Sequence, residues 1–172
     1  MKTGALEQFN QTIDAWIAIL KEYPFENLIK RPIPNSWTLG QVFVHIIGDT
    51  SYHVQQMRAA TLTDANGEKE MHPDAKWMFG NNMFPDMQIE GPGTLDNVPQ
   101  PVSKDELLQQ LISIRDEVNH ICRSKDLKKL KGKSEHPGLW FFSAEEWLRF
   151  TEMHMRHHFK QKSRIEAALN RP

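Results

Sequence analysis

The sequence predicts an all-α four-helix bundle with a long loop between its second and third helices. Four segments repeat apolar residues at three- and four-residue steps, which is the period of an amphipathic helix. Three of these segments open on a residue that can cap a helix. No stretch alternates apolar and polar residues for long enough to predict a β-strand, so the helices are expected to bury their apolar faces against one another.

The first and second helices differ in how they are bounded. The first runs from about Thr3 to Glu22, and Pro24 ends it because proline cannot continue a helix. The second begins at Thr38, whose hydroxyl can cap the helix while the side chain of Gln41 reaches back to the backbone. It runs from Thr38 to about Thr61.

The third and fourth helices open in the same way as the second. The third opens at Ser103 with Glu106 three residues later, and the fourth opens at Ser143 with Glu146 three residues later. The fourth helix runs to about Leu169. The apolar stripe of the third consists of Leu107, Leu111, Ile114, Val118 and Ile121.

The loop between the second and third helices runs from Leu62 to Val102. Loops this long are uncommon in a compact domain unless they are functional or disordered, and disordered segments rarely hold many large apolar side chains. We therefore expect the loop to pack across the bundle, with a helical turn near Asp74 to Phe79. A cover for an exposed end of the core and a lid over a substrate are both open interpretations. Its large apolar residues are Trp77, Met78, Phe79, Met83, Phe84 and Met87.

Composition bounds the function. A length of 172 residues predicts that residues 1–172 form a single domain. The 21 Lys and Arg residues nearly balance the 22 Asp and Glu residues, so no strong field gathers nucleic acid or anionic lipid. A single cysteine, Cys122, cannot form an intramolecular disulfide, and there is neither a membrane-spanning apolar run nor a signal-peptide core. We therefore predict a soluble cytoplasmic protein with no nucleic-acid and no membrane partner.

The fourth helix carries three of the eight histidines, His154, His157 and His158. At about 100° per residue, His154 and His158 lie about 40° apart on one face, one turn above the other. Both follow the seam that a bundle helix turns towards its partners, so their imidazoles are predicted to face the interior. His157 lies about 60° to the other side of His154 and could pair with it instead, and spacing alone leaves that choice open.

Buried imidazoles need partners, because each buried polar group without one costs about 1 to 3 kcal/mol. A divalent metal ion would serve, since two histidines four residues apart on a helix are a familiar half of a metal site. Hydrogen bonds to neighbouring core side chains would serve as well. The zinc-protease form of the motif needs glutamate directly after the first histidine as general base, and Met155 occupies that position. Metalloprotease chemistry of that kind is therefore not expected.

The second helix offers a third imidazole. His45 belongs to a polar stripe that borders the apolar face of this helix. The stripe could be a solvated face, or His45 could point into the bundle. Three neutral histidines from two helices would leave one coordination position open, as in a catalytic rather than a structural metal site. Asp49 or His53 could complete the shell or hold a ligand's second nitrogen.

Two motifs resemble those of a known family. They are the lead-in Asn35-Ser-Trp-Thr-Leu-Gly-Gln41 before His45, and the pattern His154-x-x-His-His158-x-x-Gln161. Together they resemble the DinB-like superfamily of metal-dependent hydrolases, and the resemblance spans most of the chain. The segment from His136 to Leu139 also resembles one branch of that superfamily.

The resemblance implies a four-helix bundle, often a homodimer, in which three histidines bind a divalent ion such as zinc or nickel. By position, the metal ligands implied in this chain are His45, His154 and His158, with His157 and Gln161 as supporting residues.

The reaction implied has two forms. An ion with an open position can lower the pKa of water from about 15.7 to about 7, which predicts a hydrolase acting on a small electrophilic substrate. The same ion could bind a thiol as thiolate, and some members of the superfamily are thiol-dependent transferases or isomerases that use bacillithiol or mycothiol. A thiol S-transferase is therefore the alternative, and a metal-binding or small-molecule-binding stress protein without turnover is a third.

No spacing selects the proton acceptor for either reaction. Asp49, His53 and Glu146 are the candidates. Cys122, beside Ile121 on the third helix, is interpreted as a small core residue rather than a catalytic one.

Overall fold

A computed structural model gives the arrangement of residues 4–85 and 98–170. Four long helices form the predicted all-α bundle, in which α3 and α1 each pack against both α5 and α6. None of the helices in these two ranges has the length and apolar character needed to cross a bilayer. The predicted start of the first helix, Thr3, lies outside the described residues. The helices are α1 (Ala5–Glu22), α2 (Phe25–Leu28), α3 (Leu39–Thr61), α4 (Pro73–Asn81), α5 (Lys104–Ser124) and α6 (Ala144–Leu169).

The predicted helix caps are confirmed. Thr38 Oγ1 accepts a hydrogen bond from the backbone N–H of Gln41, and Gln41 Oε1 accepts one from the backbone N–H of Thr38, both at 3.1 Å. Ser143 and Glu146 make the same reciprocal pair, at 3.3 and 2.7 Å. Ser103 caps α5 by accepting from the third residue beyond it at 3.1 Å. These caps fix where α3 and α6, the two helices that carry the candidate ligands, begin.

We expect Ser143→Ala to lower the free energy of unfolding by about 1 kcal/mol, because the N–H groups of the first turn of α6 lose their side-chain acceptor. Urea denaturation measures the difference. The matched control is Ser113→Ala, which replaces an exposed serine inside α5 and should not lower stability. Equal stability of the Ser143→Ala variant and the wild type would contradict the assignment of this cap.

The prediction that the chain contains no strand was wrong. Strands β1 (Lys133–His136) and β2 (Trp140–Ser143) form an antiparallel hairpin in which Lys133 pairs with Ser143. Gly138, at φ 88°, supplies the left-handed residue of the turn. Each strand has four residues, too few for an alternating pattern to stand out. Because β2 ends on the N-cap of α6, the hairpin delivers the chain directly into the helix that carries His154 and His158.

The described part of the long loop packs on the bundle, as predicted. The helical turn expected near Asp74 to Phe79 is the helix α4, and its residues Ala75 and Met78 are buried. Beyond α4, the ring of Phe84 lies 5.1 Å from that of Phe150 on α6. Met87 lies outside the described residues. The short helix α2, between the first two predicted helices, was not predicted because four residues carry no readable period.

Aromatic packing sets how α1, α3 and α6 are rotated about their axes. The Trp16 ring stacks on Phe159 at 4.8 Å and meets the edge of Phe43 at 5.2 Å. Its indole N–H donates to the backbone oxygen of Met155 at 3.1 Å. Met155 and Phe159 directly follow His154 and His158 in the chain, so this buried contact holds α6 with its histidine face towards α3.

Candidate metal centre

Three imidazole nitrogens from two helices meet at one point. Nε2 of His158 lies 3.1 Å from Nε2 of His45 and 3.1 Å from Nε2 of His154. His45 comes from α3, and the other two come from successive turns of α6. The nitrogens of all three side chains lie within 4.8 Å of one another. The structure therefore brings together the three histidines that the resemblance singled out, and His45 points into the bundle rather than to solvent.

Hydrogen bonding fixes the tautomer of one of these rings. Nδ1 of His158 lies 2.8 Å from Oε1 of Gln161. An amide oxygen can only accept, so Nδ1 of His158 carries the proton and its Nε2 presents a lone pair to the cluster. The Nδ1 of His154 is buried and has no hydrogen-bond partner among residues 4–85 and 98–170.

Burial keeps the three imidazoles neutral. Desolvation lowers the pKa of His158 to about 4, holds that of His154 well below its usual range, and lowers that of His45. The neighbouring imidazoles lower the pKa values of His154 and His158 further, since two adjacent rings cannot both charge readily. At pH 7 the cluster therefore offers uncharged donors, the form that metal coordination requires.

One carboxylate borders the cluster. Oδ2 of Asp49, one turn after His45 on α3, lies 3.5 Å from Nε2 of His45 and 3.5 Å from Nε2 of His154. The Asp49 side chain is 45% exposed, against 23% for His45, so the cluster opens towards solvent on the Asp49 side. Burial raises the pKa of Asp49, and the neighbouring His45 opposes that shift.

The donor set fits a divalent cation. Nitrogens bound at about 2.1 Å to a tetrahedral ion lie about 3.4 Å from one another. The Nε2 atoms of His45 and His154 each lie 3.1 Å from Nε2 of His158, so they need only a small outward movement to admit the ion. Without a cation, the hydrogen bonding of the three Nε2 atoms is incomplete. His158 Nε2 has one lone pair, and that lone pair faces both other nitrogens.

Comparison with known proteins agrees with this geometry. The sequence matches the family model described as the DinB superfamily over residues 5–161. The chain belongs to the DinB superfamily. A search of curated proteins and a search of solved structures each found no match. The family match includes α1, α3 and α5 and the part of α6 that holds His154, His158 and Gln161.

The other residues singled out in the sequence of this DinB superfamily chain differ in how close they lie to the three histidines. Asp49 lies at the centre, and the ring of His53 lies 5.5 Å from that of His154. Glu146, the third candidate proton acceptor, has its carboxylate engaged in the cap at the start of α6. His157 is not one of the three grouped ligands, and its ring centroid lies 5.6 Å from that of Phe84 and 5.6 Å from that of His158.

Cys122 packs against the core of the bundle, and burial raises the pKa of its thiol to about 11. A thiol with that pKa is protonated at pH 7 and is a poor nucleophile. Its interpretation as a small core residue agrees with this environment.

Sequence reasoning missed three aromatic side chains around the centre. The Trp37 ring lies 5.1 Å from that of His45, and the Phe84 ring lies 5.8 Å from that of His154. His136, on β1, stacks on Trp147 at 5.4 Å behind the centre. Trp37 and His136 lie in two of the three segments that resemble the family, which was an available signal. Phe84 carries no such signal, because its position depends on how the long loop folds back.

Proposed function

We propose that this protein binds a divalent cation, zinc or nickel, through Nε2 of His45, His154 and His158, and that it is a hydrolase of a small electrophilic substrate. One observation carries the proposal. Nε2 of His158 lies 3.1 Å from Nε2 of both His45 and His154, all three rings are neutral, and the half-exposed carboxylate of Asp49 lies 3.5 Å from Nε2 of His45 and of His154. A structural site would close all four positions with protein ligands, whereas three nitrogens leave one position for a reactant.

A bound divalent cation would supply Lewis acidity, lowering the pKa of water at its open position from about 15.7 to about 7. The chain's own residues supply the proton acceptor. Oδ2 of Asp49 is the one carboxylate oxygen in the described ranges that lies 3.5 Å from two nitrogens of the centre. Burial raises the pKa of Asp49, which makes the carboxylate a better proton acceptor than a fully solvated one, and its exposed portion can pass a proton to solvent.

Asp49 favours hydrolysis over binding without turnover. A site that only stored a cation would gain from a buried anionic ligand, whereas Asp49 stands at the solvent side with 45% of its side chain exposed. A thiol substrate could use the same acceptor, so thiol transfer is the competing outcome that a substrate screen must include.

Elemental analysis of protein purified without a nickel column is expected to find about one divalent ion per chain. His45→Ala, His154→Ala and His158→Ala should each reduce that content to near zero, because two nitrogens hold a divalent ion far less tightly than three. His120→Ala, which removes an exposed histidine on α5, is the control and should retain the ion. Wild-type protein without metal, or ligand variants with full metal content, would contradict the proposed centre.

Asp49→Asn separates cation binding from turnover. The amide keeps the size of the carboxylate but cannot take a proton, so we expect metal content to persist while kcat falls by about 100-fold or more. The measurement uses the best substrate from a panel of esters, amides and thiol-conjugation acceptors, and the class of that substrate decides between hydrolase and thiol transferase. Unchanged kcat in a metal-loaded Asp49→Asn variant would remove Asp49 from the mechanism.

A further inference from the structure

We infer that His53 is a positioning residue for His154, accepting a hydrogen bond from its Nδ1–H as Gln161 does from His158. The inference rests on the proposed function, because it concerns how His154 presents Nε2 to a cation. In this role His53, which is buried, holds the ring of a metal ligand in place and does not itself bind the cation.

His154 needs a partner that no described hydrogen bond supplies. Its Nε2 faces the centre, 3.1 Å from Nε2 of His158, so a cation bound there leaves the proton on Nδ1. That Nδ1 is buried without a hydrogen bond. Metal-binding histidines almost always donate their second ring N–H to an acceptor, which fixes the ring and raises its basicity. Gln161 fills this role for His158 at 2.8 Å.

His53 lies where it can fill the corresponding role for His154. Its ring is 5% exposed and lies 5.5 Å from the His154 ring, with the planes at 80°. Two imidazoles joined by an N–H···N bond have centroids about 5 Å apart, so the 5.5 Å between these two rings is close to the separation that such a bond requires. Nδ1 of His53 is itself buried and has no hydrogen-bond partner in the part of the chain that the structure describes.

The charge state of His53 agrees with an acceptor role. Burial first, and then the neighbouring His136 and His45, lower the pKa of His53 to about 3. The ring is therefore neutral at pH 7 and always carries one nitrogen with a free lone pair. Among the described residues, the Nδ1–H of His154 on α6 thus has no acceptor, and the adjacent ring of His53 on α3 has a lone pair with no donor.

Two nearby groups supply controls. His136 also has a buried Nδ1 without a partner and contacts the same two rings as His53, Trp147 at 5.4 Å and Phe150 at 5.0 Å. Its described ring contacts are with Phe142, Trp147 and Phe150, one ring further from the centre than His53. Thr50, three residues before His53 on α3, also has a buried hydroxyl with no hydrogen bond to a described residue, so it tests whether the loss of any buried polar group on this helix has the same effect.

The test measures zinc affinity by competition with a chromophoric chelator. We expect His53→Leu and Gln161→Leu each to weaken zinc binding by about 10- to 100-fold, the usual effect of losing an outer-shell partner. His53→Gln, which keeps an acceptor, should recover most of that affinity. His136→Leu and Thr50→Val should stay within about threefold of the wild type. Circular dichroism confirms the fold, and His53→Phe, which keeps a ring against Trp147 and Phe150, replaces His53→Leu should that variant fail to fold.

A second measurement reports a signal that a merely structural role would not move. In zinc-loaded protein labelled with ¹⁵N-histidine, the Nδ1 proton of His154 should be hydrogen-bonded and slow to exchange in the wild type and in His53→Gln. It should exchange rapidly in His53→Leu. His136→Leu should leave the signal in place.

Either of two results would overturn the inference while leaving the proposed function intact. One is a folded His53→Leu variant that binds zinc as tightly as the wild type. The other is a loss of affinity in His136→Leu or Thr50→Val as large as that in His53→Leu. Wild-type protein that takes up no zinc would instead overturn the proposed function, and this inference with it.

Discussion

Gly132→Ala is expected to lower the free energy of unfolding by about 3 kcal/mol or more, at or beyond the upper end of what overpacking usually costs. A Cβ at this position would lie 1.9 Å from the backbone oxygen of Thr63 and 2.7 Å from that of Ala60. Both oxygens belong to the backbone at the end of α3, so neither can rotate away as a side chain would. The segment around Gly132 must therefore move away from the end of α3, or the end of α3 must distort.

The consequence reaches the centre because Gly132 directly precedes β1, and the hairpin leads into α6. Guanidinium or urea denaturation of the variant measures the loss. Gly48→Ala is the matched control: this glycine lies on the exposed face of α3, and nothing stands within 4 Å of its added Cβ. That change should raise stability by about 0.5 to 1 kcal/mol, because alanine suits a helix interior better than glycine. A Gly132→Ala variant as stable as the wild type would contradict the prediction, because it would show that the backbone at the end of α3 can move aside at little cost.

The long helices were predictable because their signals are local. A helical stripe and a capping pair such as Ser143 and Glu146 lie within a few residues of each other, and the structure confirms both caps of this reciprocal type. The α6 seam was equally readable, because His154 and His158 differ by one turn and burial follows from the seam itself. The hairpin escaped prediction since its signal is the pairing of two four-residue strands.

The centre was only partly predictable for the same reason. That His154 and His158 share a face follows from helix geometry, but the 3.1 Å approach of His45 depends on how α3 and α6 rotate against each other. The Trp16 contacts that set this rotation join α1, α3 and α6, and no local pattern encodes them. The family resemblance identified His45 as a ligand, whereas the residues alone also allowed His45 to lie on a solvated face of α3.

Acidification of the metal-free protein is expected to destabilise it strongly, starting near pH 6.5. The pKa of His53 is lowered to about 3 and that of His158 to about 4, so the folded chain binds fewer protons than the unfolded chain below pH 6.5. Stability is therefore greatest above pH 6.5 and falls as the pH falls towards these two pKa values. Each of the two buried rings contributes about 1.4 kcal/mol per pH unit, or about 3 kcal/mol per unit together.

Urea denaturation in EDTA at pH 7, 6 and 5 measures this dependence. His53→Gln should reduce the mean slope between pH 7 and pH 5 by about 1 kcal/mol per pH unit, because one buried ring no longer resists protonation and the full slope is reached only well below pH 6.5. His120→Gln removes an exposed histidine and should leave the slope close to that of the wild type. Stability that stays constant or rises from pH 7 to pH 5 would mean that these rings accept protons in the folded chain, which the close, desolvated packing of His53, His154 and His158 opposes. The same packing that penalises a proton at the centre leaves its lone pairs available to a cation.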